Sequence, residues 1–149
     1  METVLNEIEV SYRPKKELSD PLYIYNSCDA FKVGYPIFDQ NQIAMREEFV
    51  VIYLNRANRV LGYSKAFTGG INGVVCDPRI ILAIALKGMA SSIILMHNHP
   101  SGNLKPSEQD KNLTKKINAA CEGLDIYLMD HLIVTDDGKY LSLRDEGMI

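Results

Sequence analysis

The 149-residue chain is about one domain's worth of polypeptide, which argues against an enzyme built as two lobes closing on a cleft. Hydrophobic residues make up 46% and charged residues 23%, the balance of a folded globular domain rather than a disordered, collagen-like or membrane chain. With 16 Lys and Arg against 19 Asp and Glu, the net charge of -3 argues against sequence-independent binding of a polyanion over a broad face, and leaves room only for a local basic patch.

Residues 1–7 begin acidic and lack the basic and apolar regions of a secretory signal. Residues 7–13 alternate as an edge strand does, until Pro14 breaks the pattern, and residues 1–26 read as an arm packed on a domain spanning 27–149. A short helix is expected from Ser27, acting as its cap, with Gly34 and Pro36 limiting it to about two turns. The β-branched and aromatic runs 49–55 and 60–68 predict a hairpin, and Gly69, Gly70 and Gly73 a flexible corner. Asp77 and Pro78 form a helix-start signal, and residues 80–90 are apolar nearly all round, as in a helix buried against a sheet. Lys87 stops that run far short of the ~20 residues a membrane span needs, so no membrane segment is expected.

A short apolar strand, 92–96, runs into a polar loop, 97–107. A helix follows over 107–121, with Leu113, Ile117 and Ala120 on one face and Lys111, Lys115 and Lys116 mostly on others, and Gly123 ends it. Residues 125–134 predict a strand, Asp137 and Gly138 a hairpin turn, and 139–142 its return. The order β-β-α-β-α-β-β suggests a single α/β domain, a mixed sheet with flanking helices. Cys28, Cys76 and Cys121 are odd in number and widely spaced, which fits a reduced, cytoplasmic compartment and a role as small buried hydrophobes.

The chemistry concentrates after the apolar strand. If strand geometry persists through Asn98, His97 and His99 point to the same side, and the loop that follows is long enough to return Asp110 beside them. Two imidazoles and a carboxylate form a three-ligand set that leaves Zn²⁺ an open fourth position for water, the arrangement of catalytic rather than structural sites. Ser107 also reads as the cap of its helix, with Asp110 three residues on as the acidic partner of a capping box. The two readings are compatible. His131, within an apolar strand, reads first as a core histidine satisfied by backbone, with a place beside the zinc as the alternative. Arg79 reads as a helix-start salt-bridge partner.

The stretch 97–110, His-Asn-His-Pro-Ser-Gly-Asn-Leu-Lys-Pro-Ser-Glu-Gln-Asp, resembles the JAMM motif of JAB/MPN+ metalloproteases, and its His-Asn-His-Pro-Ser-Gly wording is similar to the RadC branch. Glu47 to Asn55, Thr68-Gly69, Pro78-Arg79-Ile80 and Asp130 to Val134 extend the resemblance over roughly residues 27–149. It implies a JAB/MPN-like (cytidine-deaminase-like) mixed sheet, with His97, His99 and Asp110 as ligands of one Zn²⁺ and Ser107 as the group that hydrogen-bonds a developing oxyanion. It also implies an upstream glutamate as general base. Glu47 is preferred, because the family's glutamate precedes the strand's Phe by two positions, and Glu48 is expected to be a solvated charge facing the other way.

The resemblance thus implies a zinc-dependent hydrolase acting on a protein or peptide substrate, at a peptide or isopeptide bond. Zn²⁺ brings its water toward a pKa of ~7 and Glu47 accepts the proton. A metal-dependent nuclease or DNA-repair accessory factor is the alternative, with Lys105, Lys111, Lys115 and Lys116 as phosphate contacts, but net charge does not support DNA as the partner. Full-length RadC proteins carry an N-terminal helix-hairpin-helix region, which the residues before the resemblance are expected to be too short to hold. A third alternative is a non-catalytic MPN-type interaction module, against which the full set of ligands counts.

Overall fold

In the structure, a computed structural model, residues 9, 11–13, 20–68 and 76–149 are described, with side chains omitted for 67 and 68. The glycine corner lies outside the described residues, as do 7, 8 and 10 of the strand expected over 7–13; residues 9 and 11–13 are exposed and in no strand. The first helix, α1 (Ser27–Gly34), is capped one residue earlier than expected: Asn26 is extended and its side-chain oxygen accepts from the Asp29 N–H at 2.9 Å. Ser27 instead donates its hydroxyl to Asp145 at 2.6 Å. A 3₁₀ turn containing Pro36 follows (Tyr35–Ile37).

Strands β1 (Glu48–Leu54) and β2 (Val60–Thr68) form the expected hairpin, then come α2 (Pro78–Lys87), β3 (Ser92–Asn98), α3 (Glu108–Glu122), β4 (Tyr127–Val134) and β5 (Tyr140–Ser142). The five strands form one sheet in the order β2-β1-β3-β4-β5, antiparallel except for β3 and β4. Those two run parallel because α3 carries the chain back across the sheet between them. The result is a single α/β domain with helices on both faces of a mixed sheet.

Central strands β1 and β3 are buried along their whole length, so their two faces fill two cores. One core combines Val50, Ile52, Ile94, Met96 and Leu132 with α1. The other combines Phe49, Val51, Ile93 and Leu95 with α2 and α3. At Gly34, α1 lies so close to the sheet that an added Cβ would fall 2.0 Å from the sulfur of Met96. The glycine is therefore a packing requirement as well as a helix stop. Asp125 takes a left-handed φ of 54°, so β4 starts two residues later than expected.

Helix α2 departs from the expectation of burial all round. Asp77 caps it and Pro78 opens it, as the sequence predicts, but only Ile81 and Ala85 are buried, while Ile80, Ile84 and Leu86 stay exposed among the described residues. One helix lying on one sheet can bury only a stripe, whatever the polarity of its other faces.

Strand β4 contains the irregularity that matters most for the site. Ile93 pairs with Leu128 but Ile94 pairs with Asp130, so Met129 is an extra residue in the ladder. Leu128 lies on the α2/α3 face, whereas Leu132 and Val134 lie on the α1 face. The bulge has inverted the alternation, and His131 comes out on the same face as His97.

Candidate metal centre

Strand geometry does persist through Asn98, and the His99 N–H adds one more ladder bond to the Val134 carbonyl at 3.0 Å. The two imidazoles therefore share a side, with their Nε2 atoms 3.0 Å apart, while Asn98 points the opposite way. Pro100 and a turn closed by the Gly102 N–H on the His99 carbonyl, with Gly102 at φ 77°, lead the chain out of the sheet.

Helix α3 supplies the third group through the chemistry of its own start. Ser107 Oγ accepts from the Asp110 N–H at 3.1 Å, and the Ser107 N–H donates to Asp110 Oδ2 at 2.7 Å, a complete capping box. The same carboxylate reaches across the loop, Oδ1 standing 3.1 Å from His97 Nε2 and Oδ2 3.4 Å from His99 Nε2. One atom from each of His97, His99 and Asp110 lies within 4.8 Å of the others, a group that could hold a metal ion.

Electrostatics sharpens this. The His99 Nδ1 faces the Asn103 carbonyl at 2.5 Å, and because a carbonyl only accepts, Nδ1 carries the proton. Neutral His99 thus turns an unprotonated Nε2 toward His97 Nε2 and a carboxylate. Burial pushes the His99 pKa down, but its bonds to Asp110 and Asn103 and the charges of Asp110 and Glu47 raise it overall. Burial likewise pushes the Asp110 carboxyl up, yet the two imidazoles and Ser107 hold it far below the usual carboxylate range. Three Lewis bases converge, and a proton on one imidazole or a metal cation meets the demand for positive charge. The donor set fits a divalent metal.

These groups open on a cleft of about 460 Å³ that is also lined by Glu47, Ser107, Phe49 and Leu113. Glu47 precedes β1 and alternates with Glu48, which faces the other way as expected but is not solvated. Glu48 is only 1% exposed and pairs with Lys65 at 3.0 Å. Because β1 is flanked by strands on both sides, its first residue is already inside the sheet, and the lysine of β2 supplies the compensating charge.

The preferred sequence reading of His131 is corrected. Its ring is fully buried and binds side chains rather than backbone carbonyls, with Nε2 2.8 Å from His97 Nδ1 and Nδ1 2.6 Å from Thr114 Oγ1. Phe49 stacks on His97 with ring centres 5.9 Å apart and meets His131 edge-on at 5.6 Å. Thr114 and Asn98 escaped the sequence reading. Thr114 occupies a buried position of the α3 stripe with Ile117 and Cys121, where a hydroxyl needs a partner. Arg79 pairs with Asp77 at 2.7 Å on the surface, as expected, and Cys28 is exposed rather than buried. No helix among the described residues is long and apolar enough to cross a membrane.

A mixed five-stranded sheet with helices on both faces, and polar groups gathered where β3 meets the start of α3, define an α/β domain of the JAB/MPN kind. The chain belongs to the RadC-like JAB domain family, which it matches over residues 24–148. It is 44% identical over 125 residues to the UPF0758 protein of Flavobacterium johnsoniae, covering 84% of this chain and 53% of that one. To the UPF0758 protein of Porphyromonas gingivalis it is 36% identical over 154 residues, covering 99% and 64%. To that of Aquifex aeolicus it is 38% identical over 142 residues, covering 95% and 59%. The chain spans roughly half to two thirds of the length of these curated relatives.

Proposed function

We propose that the domain is a zinc-dependent hydrolase of the JAMM metallopeptidase type, cleaving a peptide or isopeptide bond. The observation that carries this reading is the convergence of His97, His99 and Asp110 on a cleft that Glu47 and Ser107 also line. Two imidazoles and one carboxylate suit Zn²⁺, and three protein ligands are what its catalytic sites use. Zinc in such a site supplies Lewis acidity, which makes water a nucleophile near neutral pH.

The chain's own residues supply the rest. Glu47 accepts the proton of the attacking water and delivers it to the leaving nitrogen. Ser107 Oγ already accepts from the Asp110 N–H, and its hydroxyl proton has no acceptor among the described residues, so it is available to a developing oxyanion in the cleft. Phe49, Leu113 and Met45 give the cleft apolar walls suited to a peptide's side chains. Of the four lysines that could contact phosphate, only Lys105 lines the cleft, and Lys111 is tied to Glu108 at 2.8 Å. That favours an amide bond over a phosphodiester.

The test combines metal analysis with turnover of a peptide library and of single- and double-stranded DNA. Glu47→Ala is expected to keep zinc and lose about 10²- to 10⁴-fold in peptide hydrolysis, whereas His97→Ala and Asp110→Ala lose the metal. Wild-type turnover by zinc-loaded Glu47→Ala, or cleavage of DNA alone by the wild type, overturns the reading.

A further inference from the structure

We infer that Thr114 and His131 are positioning residues that dictate which nitrogen of His97 carries its proton, and so keep His97 Nε2 open for a metal. The inference rests on the metal site proposed above, although the hydrogen-bond chain that carries it is independent of any ion.

The chain begins at a group whose role is fixed. Thr114 Oγ1 lies 2.6 Å from the Asp110 backbone carbonyl, and a carbonyl cannot donate, so the hydroxyl does. Its one proton is then committed, and toward His131 Nδ1, 2.6 Å away, Oγ1 can only accept. His131 Nδ1 therefore bears the ring proton. The ring is completely buried and neither of its hydrogen-bond partners, Thr114 Oγ1 and His97 Nδ1, is a carboxylate, so nothing offsets a charge on it and His131 is neutral. Its Nε2 is then a bare lone pair, and His97 Nδ1, 2.8 Å away, must be the donor. Neutral His97 is left with an unprotonated Nε2, the atom that faces His99 Nε2 and Asp110.

The order of donation is thus set from Asp110's own carbonyl, through a helix hydroxyl and a buried imidazole, to the ring of His97. His99 reaches the same state by a shorter route, through the Asn103 carbonyl. Metal-bound histidines usually give their second N–H to a carboxylate, carbonyl or water. Here the acceptor for His97 is a neutral imidazole, which has two tautomers and needs Thr114 to choose between them.

Thr114→Val keeps the shape and removes the acceptor. His131 can then move its proton to Nε2 and donate to His97 Nδ1, which drives the His97 proton onto Nε2, where the metal would bind. Thr114→Ser restores the hydroxyl.

Two measurements decide the matter. Chelator competition is expected to show zinc bound about 10- to 100-fold more weakly by Thr114→Val than by wild type, with affinity recovered in Thr114→Ser. Nitrogen-resolved imidazole spectra of the metal-free proteins at alkaline pH are expected to show the His97 proton on Nδ1 in wild type and Thr114→Ser, and on Nε2 in Thr114→Val. Equal zinc affinity in all three proteins overturns the inference, and so does a wild-type His97 carrying its proton on Nε2, a result that needs no variant to fold. A wild type that binds no zinc overturns the metal site itself, and its imidazole spectrum still decides the relay.

Discussion

Asp130 shows how a single buried carboxylate can serve the fold next door to the chemistry. It is 4% exposed, and its carboxylate accepts from Ser142 Oγ at 2.6 Å, the His131 N–H at 2.7 Å and the Arg144 N–H at 3.1 Å. Burial nevertheless raises its pKa above the ordinary carboxylate value, outweighing those bonds. A carboxyl with a raised folded pKa binds its proton more tightly folded than unfolded, so its contribution to stability falls as pH climbs from the unfolded value through the folded one. Asp130→Asn keeps an oxygen for the two backbone donors, which share Oδ1, and its new N–H can donate to Ser142 Oγ. We expect this variant to be at least as stable as wild type at neutral pH, with any advantage shrinking as pH falls below the raised pKa. Asp130→Ala should lose about 2–4 kcal/mol by stranding buried donors. Urea denaturation at neutral and acidic pH checks both, and an Asn variant weaker than wild type at neutral pH by more than about 1 kcal/mol contradicts the reading.

Among elements, the junction of β1 with β3 depends on Asn98, the residue between the two histidines. Its Nδ2 donates to the Ile43 carbonyl at 2.7 Å and the Arg46 carbonyl at 2.9 Å, and its Oδ1 accepts from the Glu48 N–H at 2.6 Å. The stretch that delivers Glu47 to the cleft is thereby pinned to the strand that delivers His97. Asn98→Asp would set carboxylate oxygens against two carbonyls, at an expected cost of about 2–4 kcal/mol measured by chemical denaturation. A cost near zero would mean that the stretch is held by other contacts. The elements legible in the sequence are those whose cues are local: the apolar runs of β1 and β3, the capping box that starts α3, and the His97/His99 alternation that survives because β3 extends through Asn98. What stayed hidden depends on partners remote in sequence. Counting by twos from Leu128 puts His131 on the wrong face, and only the ladder with β3 reveals the extra residue at Met129. In α2, uniform apolarity conceals which stripe meets the sheet, and Asn26 and Ser27 are adjacent residues equally suited to capping.

At the scale of the whole molecule, the proposed ligands join two parts of the domain that the chain connects only by a loop. His97 and His99 stand at the end of β3 and Asp110 at the first turn of α3, so an ion held by all three ties the sheet to the crossover helix. The unfolded chain has no such preformed site, and binding to the native state alone stabilises it by RT ln(1 + [L]/Kd), about 2.7 kcal/mol at 100 times Kd. In a domain of about 150 residues each kcal/mol moves Tm by roughly 2–4 °C, so saturating zinc should raise Tm by about 5–10 °C, reversibly on chelation. Calorimetry of three proteins separates binding from chemistry. Wild type and Glu47→Ala should share the shift, because the role proposed for Glu47 is toward water and not toward the ion, and His99→Ala should lose most of it. Magnesium at the same concentration should do much less, since a hard cation gains little from imidazole nitrogen. If zinc leaves the wild-type Tm unmoved, the convergence of His97, His99 and Asp110 is a proton-sharing cluster, and the proposed hydrolase loses its metal.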